Sequence, residues 1–331
     1  MKKRLYKTAI PKRLCKVLNV FCNLSLHALY LNPTRVALLS MGLSWMLLST
    51  GCKPWCSQAE EKRIDALAQQ FFNGTKTPSP KGTFSLITFN TYRLKSKERA
   101  LQQFQLLKHL GKSLQESEKS PLPDIILLQE LTQKEAIQQL KASFQPTHHF
   151  ASFHCDPDLS SGGIVGAAVK KSAFKMLSPI SHIPLGGTKL LFDHQRCAVH
   201  LHLQDKQNAK APALHILGVH LSFLTSARRV AQTKKLLNAL KKKKTPKEHI
   251  VIAGDFNFRH AEPGYKLFSN SLRDAFPNKK GTTHFNGRFD HVFLGKKMAL
   301  LKCLSCQAAE RVLLEGLSDH LPEGGIFGYK P

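Results

Sequence analysis

Eight polar side chains stand where short apolar runs begin or end, and their types suit work on a phosphate ester. Asn90 follows SLITF, Glu130 closes DIILLQ, His220 follows ALHILGV, Asp255 and Asn257 follow HIVIAG, Asp290 precedes HVFL, and Asp319 and His320 come late in the chain. An unpaired buried polar group costs about 1–3 kcal/mol and a lone charge more, so a fold has no structural use for such a set gathered in one place. Hard carboxylate and amide oxygens favour Mg2+ or Mn2+, and a histidine beside them can move a proton or hold an anion.

The elements that must carry these residues are short. Apolar runs bounded by Gly, Pro or charge read as buried strands at 83–90, up to Glu130, at 163–170, at 198–203 and at 214–220, the last two joined by the polar QDKQNAKAP turn. Helical spacing shows at 96–114, where Leu101, Phe104, Leu107 and Leu110 form a stripe, at 133–144, and at 226–240, which closes on Lys241, Lys242, Lys243 and Lys244. Between the second helix and the strand at 163 the chain reads as irregular, with His148, His149, His154 and Asp156. Strands alternating with helices, and some adjoining strands, indicate an α/β fold with mixed sheets. The polar residues then meet at one shared sheet edge.

The chain of 331 residues carries a formal charge of +27, and residues 1–51 hold eight basic and no acidic residues, which leaves +19 for the remainder. A body this basic is attracted to polyanions, either nucleic acid or an anionic membrane surface. Composition excludes a disordered or collagen-like chain. Within the basic leader, Arg35 precedes the apolar stretch 36–48, followed by Ser49, Thr50, Gly51 and Cys52. Thirteen residues are short for a ~30 Å hydrocarbon layer and suit a signal-peptide core or a short uncleaved anchor. The segment resembles a bacterial lipoprotein signal, which implies export with Cys52 as a lipidated N-terminus. Residues 52–82 read as a linker with a short helix, and 83–331 as one catalytic domain. In an exported domain Cys155 and Cys197 are a candidate disulfide, and Cys303 with Cys306 forms a lone CxxC, weak as a metal site.

Six motifs in order resemble the endonuclease/exonuclease/phosphatase superfamily: TFN ending at Asn90, LLQE ending at Glu130, VHL around His220, GDFN with Asp255 and Asn257, FDHVF with Asp290, and SDH with Asp319 and His320. The resemblance implies a four-layer α/β sandwich, two packed mixed β-sheets flanked by helices, with Mg2+-dependent or Mn2+-dependent phosphoester hydrolysis at one end. It implies Glu130 as principal metal ligand with Asn90 and Asp319 in support. Asp255 would orient or deprotonate water, Asn257 would hold a non-bridging oxygen, and His220 would stabilise the pentavalent state or assist the leaving group. His320 against Asp290 would serve as general base or cationic clamp. His260 and His291 fall outside those roles.

Two departures stand out: Glu323 occupies a position that is usually apolar, so the last strand is expected to start late, and no Tyr precedes SSGGIVGAAV. The expected partner is a polyanion, with nucleic acid favoured through Arg228, Arg229 and the lysines at 241–244. A sphingomyelinase-like or phospholipase C-like lipid phosphodiesterase is the alternative, and a basic binding protein on the same scaffold is the third reading. The chain is expected to be monomeric, with membrane association through its N-terminus.

Overall fold

The computed structural model describes residues 82–94, 96–115, 122–156, 163–187, 195–243, 245–277, 282–283, 287–303 and 318–330. The leader, its apolar segment, the linker helix, Lys244 and Cys306 lie outside them. The elements are β1 (Thr83–Leu94), α1 (Lys97–Gln115), β2 (Ile125–Leu131), α2 (Lys134–Phe144), β3 (His148–His154), β4 (Ile164–Lys170), β5 (Phe174–Met176), β6 (Ser181–Gly186), β7 (Arg196–Asp205), β8 (Leu214–His220), α3 (Ser226–Lys242), β9 (Ile250–Asp255), α4 (Pro263–Ser269), β10 (Arg273–Asp274), β11 (Asp290–Leu294), β12 (Met298–Cys303) and β13 (Glu323–Tyr329). One sheet runs β12-β13-β1-β2-β4-β3, the other β10-β11-β9-β8-β7-β5 with β6 also paired to β7. Both sheets mix parallel and antiparallel pairs.

Successive side chains of a strand point to opposite faces, and here both faces are apolar because both are covered. Leu86 of β1, Ile125 and Leu127 of β2, Ile216 of β8, Val251 and Ala253 of β9 and Val292 of β11 meet between the sheets. Their neighbours Ile87, Ile126 and Leu128 turn outward onto α1 and α2, packing with Leu107, Leu110, Leu140 and Phe144. On the far side Leu217, Val219 and Ile252 pack with Leu236 of α3 and Phe268 of α4. Helices, sheet, sheet and helices make the expected four layers. Cys155 and Cys197 are joined, their Cα atoms 5.2 Å apart, tying the end of β3 in one sheet to β7 in the other.

Several local expectations change. The stretch 148–154 is strand β3, paired antiparallel with β4 along its whole length. As an edge strand it is half-exposed and tolerates histidines at its ends, which hides its pattern. The last strand does not start late: Glu323 is its first residue, fully buried and opposite Thr88, with Arg288 3.8 Å away as counter-charge. The stripe of α1 is rotated, leaving Leu101 43% exposed while Ala100, Gln103, Leu107, Leu110 and Leu114 face inward. Gln103 takes a core-facing place because its amide donates to the Thr91 carbonyl at 3.0 Å, pinning the chain just beyond Asn90. Among the described residues no helix is long and apolar enough to cross a membrane.

Candidate active site

The inward-facing column of each central strand ends in a polar residue, and register lines these ends up. β8 and β9 are parallel with His220 opposite Asp255, and β11 runs antiparallel to β9 with Asp290 opposite Asp255. One edge of the second sheet therefore presents His220, Asp255 and Asp290 in a row. Gly254 makes this row tight: its φ is +145°, and a Cβ there would lie 2.1 Å from the Val219 carbonyl oxygen, so only glycine fits.

From the first sheet come Asn90 and Glu130, and alternation alone does not deliver both. Leu127 faces inward and Leu128 outward, so strict period two would aim Glu130 out toward the helices. Instead the β2 pairings shift between Leu128 and Leu131, and those of β1 between Asn90 and Leu94. Glu130 has φ 58°, and Tyr92 and Arg93 have φ 47° and 51°. Left-handed backbone at non-glycine residues costs about 1–3 kcal/mol each and concentrates at functional sites. Here it swings the Glu130 carboxylate into the inner end, a re-aiming that β-bulges commonly perform.

The two sheets then meet through side chains. The Asn90 amide donates to Asp255 Oδ2 at 2.9 Å and to Glu130 Oε1 at 3.1 Å, while its own oxygen accepts from the Tyr92 N–H. His220 Nε2 lies 3.8 Å from Glu130 Oε1 and 3.6 Å from Asp255 Oδ2. His320 Nδ1 is 2.7 Å from Asp290 Oδ2, and its Nε2 is 3.7 Å from Asp255 Oδ2. Ser318 donates to the Asn90 carbonyl at 2.7 Å and accepts from the His320 N–H, fastening the SDH segment to β1. All eight predicted residues thus gather at one end. Asp319 is at its rim, with Oδ1 4.0 Å from His320 Nε2, and that oxygen is buried without a hydrogen-bond partner among the described residues.

Charge follows from this geometry. Burial pushes Asp255 well above the usual carboxylate range, the charges of Asp290 and Glu130 add to the effect, and His320 and Asn90 work against it. Burial also disfavours the His320 imidazolium, but Asp290 and Asp255 outweigh it and raise its pKa. Two groups of potential ligand atoms lie close together, Glu130 with His220 and Asp255, and Asp255 with Asp290 and His320. Glu130 and Asp255 of the first supply the hard oxygen donors that suit a divalent cation, and the Asp319 oxygen lies by His320 of the second.

Three residues of the site escaped the sequence reading. Arg196, at the start of β7, places Nη1 2.9 Å from His220 Nδ1. Nη1 also lies 3.2 Å from Nε2, so the guanidinium, which only donates, holds the ring in place beside Glu130 and Asp255. The residue bounds the run CAVHL just as Asn90 bounds SLITF, a signal that would have found it. Thr282 donates to Asp290 Oδ2 at 2.8 Å and accepts from the N–H groups of Phe289 and Asp290. Gln103 is the third, through its bond to the Thr91 carbonyl.

One other expectation, for Arg229, is corrected. Arg229 is buried, paired with Glu262 at 2.7 Å and donating to the carbonyls of Ser222 and Phe223, so it holds the chain and does not track phosphates. Asn257 commits one amide hydrogen to the Leu221 carbonyl, and among the described residues its second is not taken. His291 is fully buried on the outer face of β11, its Nε2 3.1 Å from the Phe258 carbonyl, and His260 stacks on Tyr265.

Comparison with known proteins agrees with this geometry. No curated protein matches the chain. Among solved structures, the catalytic domain of human Nocturnin with bound sulfate is 19% identical, covering 75% of this chain and 95% of that one at a TM-score of 0.60. ANGEL2, a 2',3'-cyclic phosphatase, in complex with adenosine-2',3'-vanadate is 17% identical, covering 78% and 100% at a TM-score of 0.59. The mannosyl-6-phosphatase of Bacteroides thetaiotaomicron is 15% identical, covering 74% and 98% at a TM-score of 0.54. At these identities the likeness is one of fold. The sequence pattern of a family matches residues 87–320. On that match, which takes in every residue gathered above, the chain belongs to the Endonuclease/Exonuclease/phosphatase family.

Proposed function

We propose that this chain is a phosphodiesterase dependent on Mg2+ or Mn2+, with Glu130 as principal ligand and Asn90 and Asp319 in support, acting on a polyanionic substrate, nucleic acid ahead of lipid. The observation that carries it is the bridge of Asn90 between Glu130 of one sheet and Asp255 of the other, with His220 and His320 on either side. The bound cation would supply Lewis-acid polarisation of a phosphoryl oxygen and offset charge that builds in the transition state.

The side chains divide the remaining work. Asp255, whose raised pKa suits a group that accepts a proton, orients the attacking water in line with the phosphorus. His320, held by Asp290 in the orientation that leaves Nε2 facing Asp255, favours its cationic form and acts as a clamp on the phosphate. His220, held by Arg196, faces the oxygen that gains charge and stabilises it. Asn257 gives its remaining amide hydrogen to a non-bridging oxygen.

Turnover of bis-p-nitrophenyl phosphate with Mg2+, abolished by EDTA and restored by Mg2+ or Mn2+, is the expected result. A folded chain with no metal-dependent turnover would favour the third reading, a basic binding protein. Plasmid DNA, RNA and sphingomyelin liposomes supplied in parallel separate the two enzyme readings. The lipid reading keeps one supporting observation, the exposed neighbours Phe223 and Leu224 just after His220. The disulfide supports export to an oxidising compartment, where Cys52 would anchor a monomer at a membrane.

A further inference from the structure

We infer that Phe223 and Tyr92 are a pair of base-stacking platforms flanking the mouth of the site, which makes its polymer substrate single-stranded nucleic acid; this rests on the hydrolase reading above. Both rings are exposed, Phe223 at 53% and Tyr92 at 40%, in a domain that buries most of its large aromatic residues. Both leave the site directly. Tyr92 comes two residues after Asn90 and gives its N–H to the Asn90 side chain at 3.0 Å, and Phe223 comes three residues after His220. Asn90 is bonded to Asp255, so each sheet contributes one ring at the same end.

The Phe223 segment is held from below. The Ser222 N–H donates to Gln232 Oε1 at 2.8 Å, and the Gln232 amide donates to the Gly186 carbonyl at 3.0 Å. Arg229 donates to the carbonyls of Ser222 and Phe223 at 3.3 and 3.2 Å and is locked by Glu262. Asn257 holds the Leu221 carbonyl. Three side chains thus fix the backbone whose ring is presented to solvent, and a merely tolerated surface residue has no need of that framework. On the other side the Arg99 guanidinium lies over the Tyr92 ring, 5.9 Å from its centroid, a cation–π contact that sets a positive charge at the platform.

An aromatic face with a cation beside it matches a nucleobase joined to a phosphate, since every base offers a π face and stacks without regard to sequence. In a duplex those faces are covered by neighbouring pairs, so platforms of this kind select unpaired strands. A bilayer is the poorer occupant, because the guanidinium against Tyr92 would have to be desolvated to enter it.

The test uses the full chain in EDTA, with fluorescence anisotropy on a labelled oligothymidylate, on the same strand annealed to its complement, and on phosphatidylserine vesicles. Wild type is expected to prefer the single strand. Phe223→Ala and Tyr92→Ala should each weaken that binding about 10-fold, the scale of base–aromatic stacking. With Mg2+, their kcat/KM for the oligonucleotide should fall by a like factor relative to that for bis-p-nitrophenyl phosphate. Phe223→Trp should retain wild-type binding, which separates stacking from a folding lesion. Unchanged binding in both alanine variants overturns the inference, as does a loss confined to vesicles. If wild type binds single strands through Phe223 but hydrolyses nothing, the hydrolase reading fails and the platforms stand. If hydrolysis persists and Phe223→Ala leaves single-strand binding unchanged, the reverse holds.

Discussion

Arg196→Met tests the site at a residue that reaches the chemistry through another side chain, His220. Methionine keeps much of the aliphatic length and removes the guanidinium whose Nη1 sits 2.9 Å from His220 Nδ1. Without that donor the imidazole loses what fixes its tilt beside two carboxylates, which lie 3.8 and 3.6 Å from Nε2. A hydrogen bond from a charged donor is worth about 1.5–3 kcal/mol. If the whole of it serves to aim Nε2 in the transition state, kcat falls about 10- to 150-fold at one decade per 1.36 kcal/mol. KM for a small diester should change little, because His220 meets developing charge and not the ground state. The assay is steady-state hydrolysis of bis-p-nitrophenyl phosphate with Mg2+ beside a thermal melt, and Arg196→Lys, which keeps a donor, should recover part of the loss. A folded Arg196→Met chain with wild-type kcat would refute the reasoning.

Glu130→Gln and His320→Ala should each lower kcat about 100-fold or more in folded chains, as expected for groups that stabilise a transition state, and near-normal rates in either would remove that residue from the mechanism. Gly254→Ala should destabilise the domain by about 3 kcal/mol or more, read by denaturant unfolding, because the new Cβ would sit 2.1 Å from a carbonyl oxygen at a φ of +145°. Burial lowers the pKa of His148 to about 4, against the partial opposition of its bond to the Pro123 carbonyl. Between its unfolded value of about 6.5 and pH 4 the unfolded chain holds a proton that the folded one lacks, so stability drops as the pH is lowered through that window, by up to about 3 kcal/mol. His148→Phe should flatten that slope in unfolding measurements from pH 7 to pH 4, and equal slopes would show the residue carries none of it.

Much of this architecture was legible because it rests on local signals. The runs before Asn90, Glu130, His220 and Asp255 are short, β-branched or leucine-rich and sharply bounded, and all four form central strands. Edge elements were harder. β3 carries histidines where a core strand carries valine, and β5, β6, β10, β12 and α4 are too short or too exposed to show a period. On α1 the apolar stripe gave Leu101 an inward place, whereas the structure exposes Leu101 and buries Gln103, whose amide donates to the Thr91 carbonyl.

By itself the sequence determined which residues are available and that strands end in them, since residue type and apolar patterning are local properties. It also held the basic charge that draws polyanions, and the cysteines that join. Only the tertiary structure decided that Glu130 turns inward, because alternation sends it outward and two facing register shifts reverse it. It alone brought Arg196 to His220, 24 residues away, and set Asn90 between carboxylates of two sheets. Register between strands is a long-range quantity, fixed by how two layers pack, and no short stretch of chain contains it.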